Sequence, residues 1–392
     1  MIAVAAIPRI AQYADELTRW RHDIHAHPEL GFEEERTSAF VAEQLTRFGC
    51  EVHRNVGRTG VVGVLRQGNG PKSIGLRADM DALPIRETNR FDYRSQNEGR
   101  MHACGHDGHT TMLLGAARYL AETRQFDGTV NFIFQPAEEG LGGAKAMVED
   151  KLFERFPSDA IFGMHNRPGL AVGKFAIRTG PMMAGGAYFD VAIEGRGAHA
   201  ARPESGVDPV LVASHIATAA QSIVARNVRP QETAVLSITQ IHGGDAYNVI
   251  PASAVMRGTA RAFSRDLLEL IEARLRRIAE GIAAAMGAKA ALDFRVIFPP
   301  LVNHADEARF IADCAAELVG GENVDRIGHL TMASEDFAYM LEHRPGAYIQ
   351  IGNGDGEGGC EVHNPGYDFN DAALTLGASL FARLVEKRLA RG

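Results

Sequence analysis

The chain is poor in several residue types, and each shortage narrows the field. Cysteine occurs 4 times in 392 residues, at Cys50, Cys104, Cys314 and Cys360, with no framework of spacings. That excludes a disulfide scaffold and points to reduced thiols in the cytoplasm. Basic residues are outnumbered by acidic ones, 41 to 49, for a formal net charge of −8. With no basic stripe, nucleic acid is not an expected partner. The local run RLRRIAEGIA sits on a patterned helix and reads as a solvated face. No apolar run approaches the ~18 residues a membrane span requires. The start, MIAVAAIPRIAQY, has no basic n-region, and Pro8 interrupts its apolar stretch, so a signal peptide is not expected.

What is present is an ordinary globular composition, 45% hydrophobic and 23% charged, in a chain too long for one core. Apolar periodicity predicts helices over DELTRWRHDIHAHP, ERTSAFVAEQLTRFG and residues 107–123. It predicts strands over VVGVL, KSIGLRA, GTVNFIFQ, AIFGMHN and GKFAIRTG. This alternation implies an α/β fold with a largely parallel sheet covered on both faces.

The middle of the chain differs. AYFDVAIEG, a helix over 208–226, TAVLSITQIHG, AVMRGTARAF, a helix over 267–285 and ALDFRVIF follow the order β-α-β-β-α-β. This is the split βαβ pattern of a ferredoxin-like sandwich. Helices over 307–319 and SEDFAYMLEHR, the strand AYIQIG and a last helix over DAALTLGASLFARLVEKR then resume the first pattern. The expected organisation is one α/β domain, residues 1–182 and 299–392, interrupted by an inserted α+β domain, residues 183–298.

Five polar clusters fall at the ends of predicted strands or in the loops after them, the rim where open α/β sheets bind ligands. RADMDALP places Asp79 and Asp81 two residues apart, so a continuing strand would face both to one side. HACGHDGH packs one Cys, three His and one Asp into residues 102–109. Cys104 and His106 are good ligands for zinc or a similar divalent ion, although Cys104 with a His base also suits a nucleophile. Asp107 suits the start of the following helix, and His102 and His109 suit packing. PAEEG places Glu138 beside Glu139. In an extended segment the two point to opposite sides, so one can bind a metal while the other serves as general base. Taken alone, the pair also suits a solvated helix start. His165 ends the apolar strand AIFGMHN, and His363 lies in the turn-rich loop VHNPGYDFND. Together these clusters supply thiolate, imidazole and carboxylate donors enough for two metal ions roughly 3.5–4 Å apart.

RADMDALP, HACGHDGH, PAEEG, GMHN, GRGAHAARP, AYNVIP and VHNPGYDFND, in this order, resemble the dinuclear-metal aminoacylase and carboxypeptidase family. The closer match is its hippurate hydrolase and indole-acetyl-amino-acid hydrolase branch. The resemblance runs from about Arg21 to the C-terminal helix. It implies a zinc-peptidase-like catalytic domain with an inserted ferredoxin-like lid, often used to form homodimers or higher homo-oligomers. It also implies two divalent ions per subunit, held by Cys104, His106, Glu139, His165 and His363, with Glu138 as general base and Asp81 supporting the metals. Many relatives carry a His ligand where this chain has Asp79, and Cys104 stands in for it. Thiolate favours zinc, while the branch is often described with manganese; cobalt or nickel is compatible. From the inserted domain, His199 would stabilise the oxyanion, and Asn248 and Arg261 would hold the substrate's carboxylate. The implied reaction is hydrolysis of a small N-acyl amino acid. A dipeptidase or carboxypeptidase with the same site is the alternative.

Overall fold

The computed structural model describes residues 6–356 and 358–391. The apolar start MIAVA therefore lies outside the described residues. The chain divides into two compact units. The first comprises Met1–Met182, Val302–His329 and Asp336–Gly392, and the second Met183–Leu301 with Leu330–Glu335.

The first unit is built on an 8-stranded sheet. In spatial order its strands are Glu51–Val56, Gly60–Gln67, Gly128–Gln135, Ser73–Asp79, Ala160–Pro168, Gly346–Gly354, Phe175–Ala176 and Val324–Asp325. The four central strands run parallel, and Ser73–Asp79 is buried along its whole length, as a strand covered on both faces must be. The flanks are antiparallel, so the sheet is more mixed than the alternation of elements predicts. The reason lies in the connections. Glu51–Val56 and Gly60–Gln67 are separated by three residues, and so short a link joins only antiparallel neighbours. GKFAIRTG contributes only Phe175–Ala176 to the sheet, and the helix in SEDFAYMLEHR is confined to Phe337–Leu341.

Helix His106–Thr123 carries the chain from Ser73–Asp79 to its neighbour Gly128–Gln135 and packs against helices Ala14–Ala26 and Leu374–Arg388. The chain then passes to Ala160–Pro168 on the other side of Ser73–Asp79. The order of connection reverses at Ser73–Asp79, which opens a crevice at the carboxyl ends of these strands. Four of the five polar clusters follow from strands at this place in the sheet.

The second unit is a four-stranded antiparallel sheet in the order Ala234–His242, Ser253–Ala262, Gly185–Glu194, Lys289–Phe298. Along Gly185–Glu194 the residues Ala187, Phe189, Val191 and Ile193 are buried, while Tyr188, Ala192 and Glu194 face solvent. The buried set packs with Val212, Ile216, Ile223, Leu268, Ile271 and Leu275 of helices Pro209–Asn227 and Arg265–Ala285. Asp208 caps the first helix by accepting the amides of Val210 and Leu211, and Ser264 caps the second through Leu267.

Candidate metal centre

Gly105 shapes the loop between Cys104 and His106. Its φ is 90°, and a Cβ there would run into Asn166 Nδ2 and Tyr367 Oη. Asn166 Nδ2 donates to the Cys104 carbonyl at 2.6 Å, and Tyr367 Oη donates to Asn166 Oδ1 at 2.8 Å. The Cys104 backbone is thereby held over the end of the Ala160–Pro168 strand. Its thiol stands 3.3 Å from Nε2 of His165.

The ring orientations follow from their outer partners. His165 Nδ1 donates to the Asn166 carbonyl at 2.6 Å, which leaves the Nε2 lone pair facing Cys104. His106 Nδ1 donates to the Asp81 carbonyl at 2.9 Å and lies 3.2 Å from Asp81 Oδ1. The other Asp81 oxygen accepts the Glu139 amide at 2.9 Å. One buried aspartate thus orients two candidate ligands, an outer-partner role of the kind metal-binding histidines need.

Glu138 and Glu139 do not sit on an extended segment. The strand ends at Gln135, and Ala137 takes φ 52°, so the two glutamates fall in a turn. Their carboxylates do not point apart; an oxygen of each lies within 4.8 Å of the other and of a His106 ring nitrogen. The expectation of opposite directions fails because Ala137 leaves the pleat. Glu138 is 7% exposed and accepts the Asp336 amide at 3.3 Å. His363 also has positive φ, 63°, and its amide donates to the Ala103 carbonyl at 2.7 Å. Its Nε2 lies 3.2 Å from Glu139 Oε1.

Three groups with mutual donor distances within 4.8 Å therefore overlap: Cys104–His106–His165, Cys104–Glu139–His363 and His106–Glu138–Glu139. Together they contain all five candidate ligands and the candidate base. The donors fit divalent ions. His106 Nε2 is buried with no hydrogen-bond partner, a cost of ~1–3 kcal/mol unless a ligand takes it up, and buried Glu139 Oε1 has only the His363 ring beside it, without hydrogen-bond geometry. The charge state points the same way. Burial lowers His106, but Asp79, Asp81 and Glu139 outweigh it and push the ring up to about 10, so the site demands positive charge. Burial, then Glu139, Glu138 and Asp79, hold the Cys104 thiol well above its ordinary value.

The remaining residues of HACGHDGH take other roles. His109 Nε2 accepts the Asn166 amide at 3.0 Å, so its Nδ1 donates to Asp79 at 2.6 Å and both nitrogens are used. His102 is buried and pushed down to about 4 by burial, with neither nitrogen hydrogen-bonded. Asp107 occupies the first turn but does not cap it; its Oδ2 bonds His25 Nδ1 at 2.8 Å. Asp79 and Asp81 also part company, because the strand ends at Asp79. Asp79 turns to His109 and to Arg77 Nη1, the latter at 2.6 Å. Although burial raises it, Arg77, His106 and His109 hold it well below the usual carboxylate range. Arg77 was not among the expected site residues. An arginine inside the apolar strand KSIGLRA was the available signal, since a buried guanidinium requires partners.

His199, Asn248 and Arg261 lie in the second unit. His199 pairs with Val249 in a two-stranded ladder, and Ala200 donates to the Asn248 carbonyl at 2.9 Å, which brings His199 and Asn248 together. The His199 ring is exposed, with Nδ1 accepting the Ala201 amide at 3.0 Å. Arg261 Nη1 donates to Ser334 Oγ, above Gly186, where a side chain would collide with the guanidinium.

The donor set defines a protein built to hold divalent metal ions. The chain belongs to peptidase family M20/M25/M40, whose model matches residues 75–387. It is 45% identical over 383 residues to a hippurate hydrolase of Campylobacter jejuni, covering 98% of this chain and 99% of that one. It is 40% identical to an N-acetyl-L-cysteine deacetylase of Bacillus subtilis, covering 94% and 87% of the two chains. Among solved structures, a Bacillus subtilis dinuclear metal binding peptidase of the M20 family matches with TM-score 0.85 and 34% identity, covering 97% and 99%.

Proposed function

We propose that this chain hydrolyses N-acyl amino acids, with an acetyl, benzoyl or related aryl-acyl group, to a carboxylate and a free amino acid. The observation that carries the reading is the convergence of Cys104, His106, Glu139, His165 and His363, with the buried His106 Nε2 left without a hydrogen-bond partner among them and Glu138 beside them. The end-to-end likeness to a hippurate hydrolase supports the substrate class. The five residues hold two divalent ions, zinc or manganese, with cobalt or nickel also compatible with the donors. When bound, such ions supply Lewis acidity toward the amide carbonyl and lower the pKa of water.

Glu138 takes a proton from the attacking water and delivers it to the leaving nitrogen. The Asp336 amide, donating to Glu138 Oε1 at 3.3 Å, keeps one oxygen of this buried carboxylate in place. Asp81 holds the His106 ring and the Glu139 backbone in register. His199 stabilises the oxyanion. Asn248 and Arg261 bind the substrate's carboxylate, the arginine through its planar fork. The inserted unit, residues 183–298, serves as lid and homodimer contact, and the enzyme works in the cytoplasm.

The test is a hydrolysis panel with protein reconstituted separately with zinc, manganese and cobalt. N-acetyl and N-benzoyl amino acids should turn over well and free dipeptides poorly. The reverse preference would make it a dipeptidase.

A further inference from the structure

Helix Glu35–Arg47 begins within the acidic stretch ELGFEEERTS, and Glu34 occupies its N-cap position. Acidic residues there ordinarily bind the first helical amides. Glu34 does not. Glu29 does so instead: its Oε1 accepts from Arg36 N at 2.9 Å, and its Oε2 accepts from the Thr37 amide and hydroxyl at 2.8 and 2.9 Å. Glu34 is thereby released from the helix and is completely buried. Its Oε1 accepts the Ala137 amide at 2.8 Å, and its Oε2 accepts the Thr59 hydroxyl. Burial pushes its carboxyl up to about 7, with Asp81 adding to the rise. Neither donor is charged, so an acidic group is kept in a dry place for two hydrogen bonds. Such costly placements cluster at functional sites.

Ala137 is a residue that needs holding. A φ of 52° is disfavoured for any residue with a Cβ. Glu34 takes its N–H, and the Gly143 amide donates to its carbonyl at 2.9 Å, so the peptide is gripped from both sides. Immediately after it come Glu138 and Glu139. If Ala137 relaxed to extended backbone, the strand Gly128–Gln135 would run on and the two glutamates would point to opposite faces.

We infer that Glu34 is a positioning residue for the reaction: its Oε1 holds Ala137 in the left-handed conformation that turns the Glu138 and Glu139 carboxylates onto one centre. The inference rests on the roles proposed above for those two glutamates.

The experiment uses metal-loaded protein and four variants, Glu34→Ala, Glu34→Asp, Glu34→Gln and Glu34→Asp with Ala137→Gly. The aspartate keeps the charge and most of the volume but withdraws the oxygen by one methylene, so it carries the test if the alanine variant does not fold. Glu34→Ala and Glu34→Asp should lower kcat about tenfold or more at nearly unchanged KM, as small misplacements of a reacting group do. Amide hydrogen exchange over residues 136–143 should speed up in both. Glu34→Gln, which still offers an acceptor oxygen, should retain the protection and most of kcat. Ala137→Gly should recover part of the kcat lost in Glu34→Asp, because glycine takes positive φ without a clamp. Wild-type kcat and exchange in Glu34→Asp would overturn the inference. So would a loss in Glu34→Gln as large as in Glu34→Ala, or no recovery from Ala137→Gly. Replacing Glu138 separates the two levels. An inactive Glu138→Gln beside a fully active Glu34→Asp sinks the inference alone, whereas a fully active Glu138→Gln sinks the reading beneath it.

Discussion

At the scale of single residues, each feature of the site is a pairing of a ring or carboxylate with an outer partner. Asp81 shows the economy of the arrangement, since one side chain and one carbonyl orient His106 and anchor Glu139. Glu138→Gln removes the proton acceptor but keeps the volume and the Asp336 contact. It should lower kcat by ~10²–10⁴-fold while the metal content stays near that of the parent, read by steady-state kinetics beside elemental analysis. Gly105 tests the loop. Gly105→Ala places a methyl against Asn166 and Tyr367 at a φ of 90°, and both effects oppose the native backbone. Thermal unfolding should show a loss of at least about 1 kcal/mol, and metal titration a weaker site, because Cys104 and His106 flank the distorted position.

At the scale of elements, buried ionic links hold the helices and strands in place behind the metal centre. Arg77 joins three segments, bonding Gln135, Asp79 and Asp336 from within the sheet. Helix Ala14–Ala26 is tied to helix His106–Thr123 by His25, which bonds Asp107 and Glu87. Burial lowers His25, but the bonds to Asp107 and Glu87 more than offset it and raise the ring to about 9. The sign of the linkage follows. A histidine whose folded pKa exceeds its unfolded value of about 6.5 stabilises fully below that pH, and the contribution fades as pH rises toward about 9. The difference in unfolding free energy between the parent and His25→Gln should therefore be largest near pH 6 and shrink progressively to pH 9, measured by denaturant titration. A constant difference would show that His25 does not change its charge over this range. Neither link was anticipated. Periodicity places Arg77 on a strand and His25 on a helix but says nothing about which buried group each will meet.

At the scale of the whole molecule, the two units divide the proposed labour: all five candidate ligands and the base lie in the first, and the three candidate substrate contacts in the second. No helix among the described residues is long and apolar enough to cross a membrane. Metal removal is the global test. Because ions that bind only the folded state stabilise it by mass action, a chelator should lower the melting temperature. For an ion held at a hundred times its Kd the loss is about 2.7 kcal/mol. Amide hydrolysis should vanish with it and return on adding metal, whereas a cysteine amidase would keep its activity. The sequence by itself determined the donor types, their places at or after strand ends and the interruption of one α/β unit by a β-α-β-β-α-β insert, because these are written in local periodicity and composition. Only the tertiary structure decided that Glu138 and Glu139 face the same centre, that His109 spends both nitrogens on Asp79 and Asn166, and that Glu34 reaches Ala137. Those outcomes depend on one left-handed residue and on hydrogen bonds between segments as far apart as 34 and 137. No local pattern encodes such pairings, since a side chain's partner is fixed by packing and not by its neighbours in the chain.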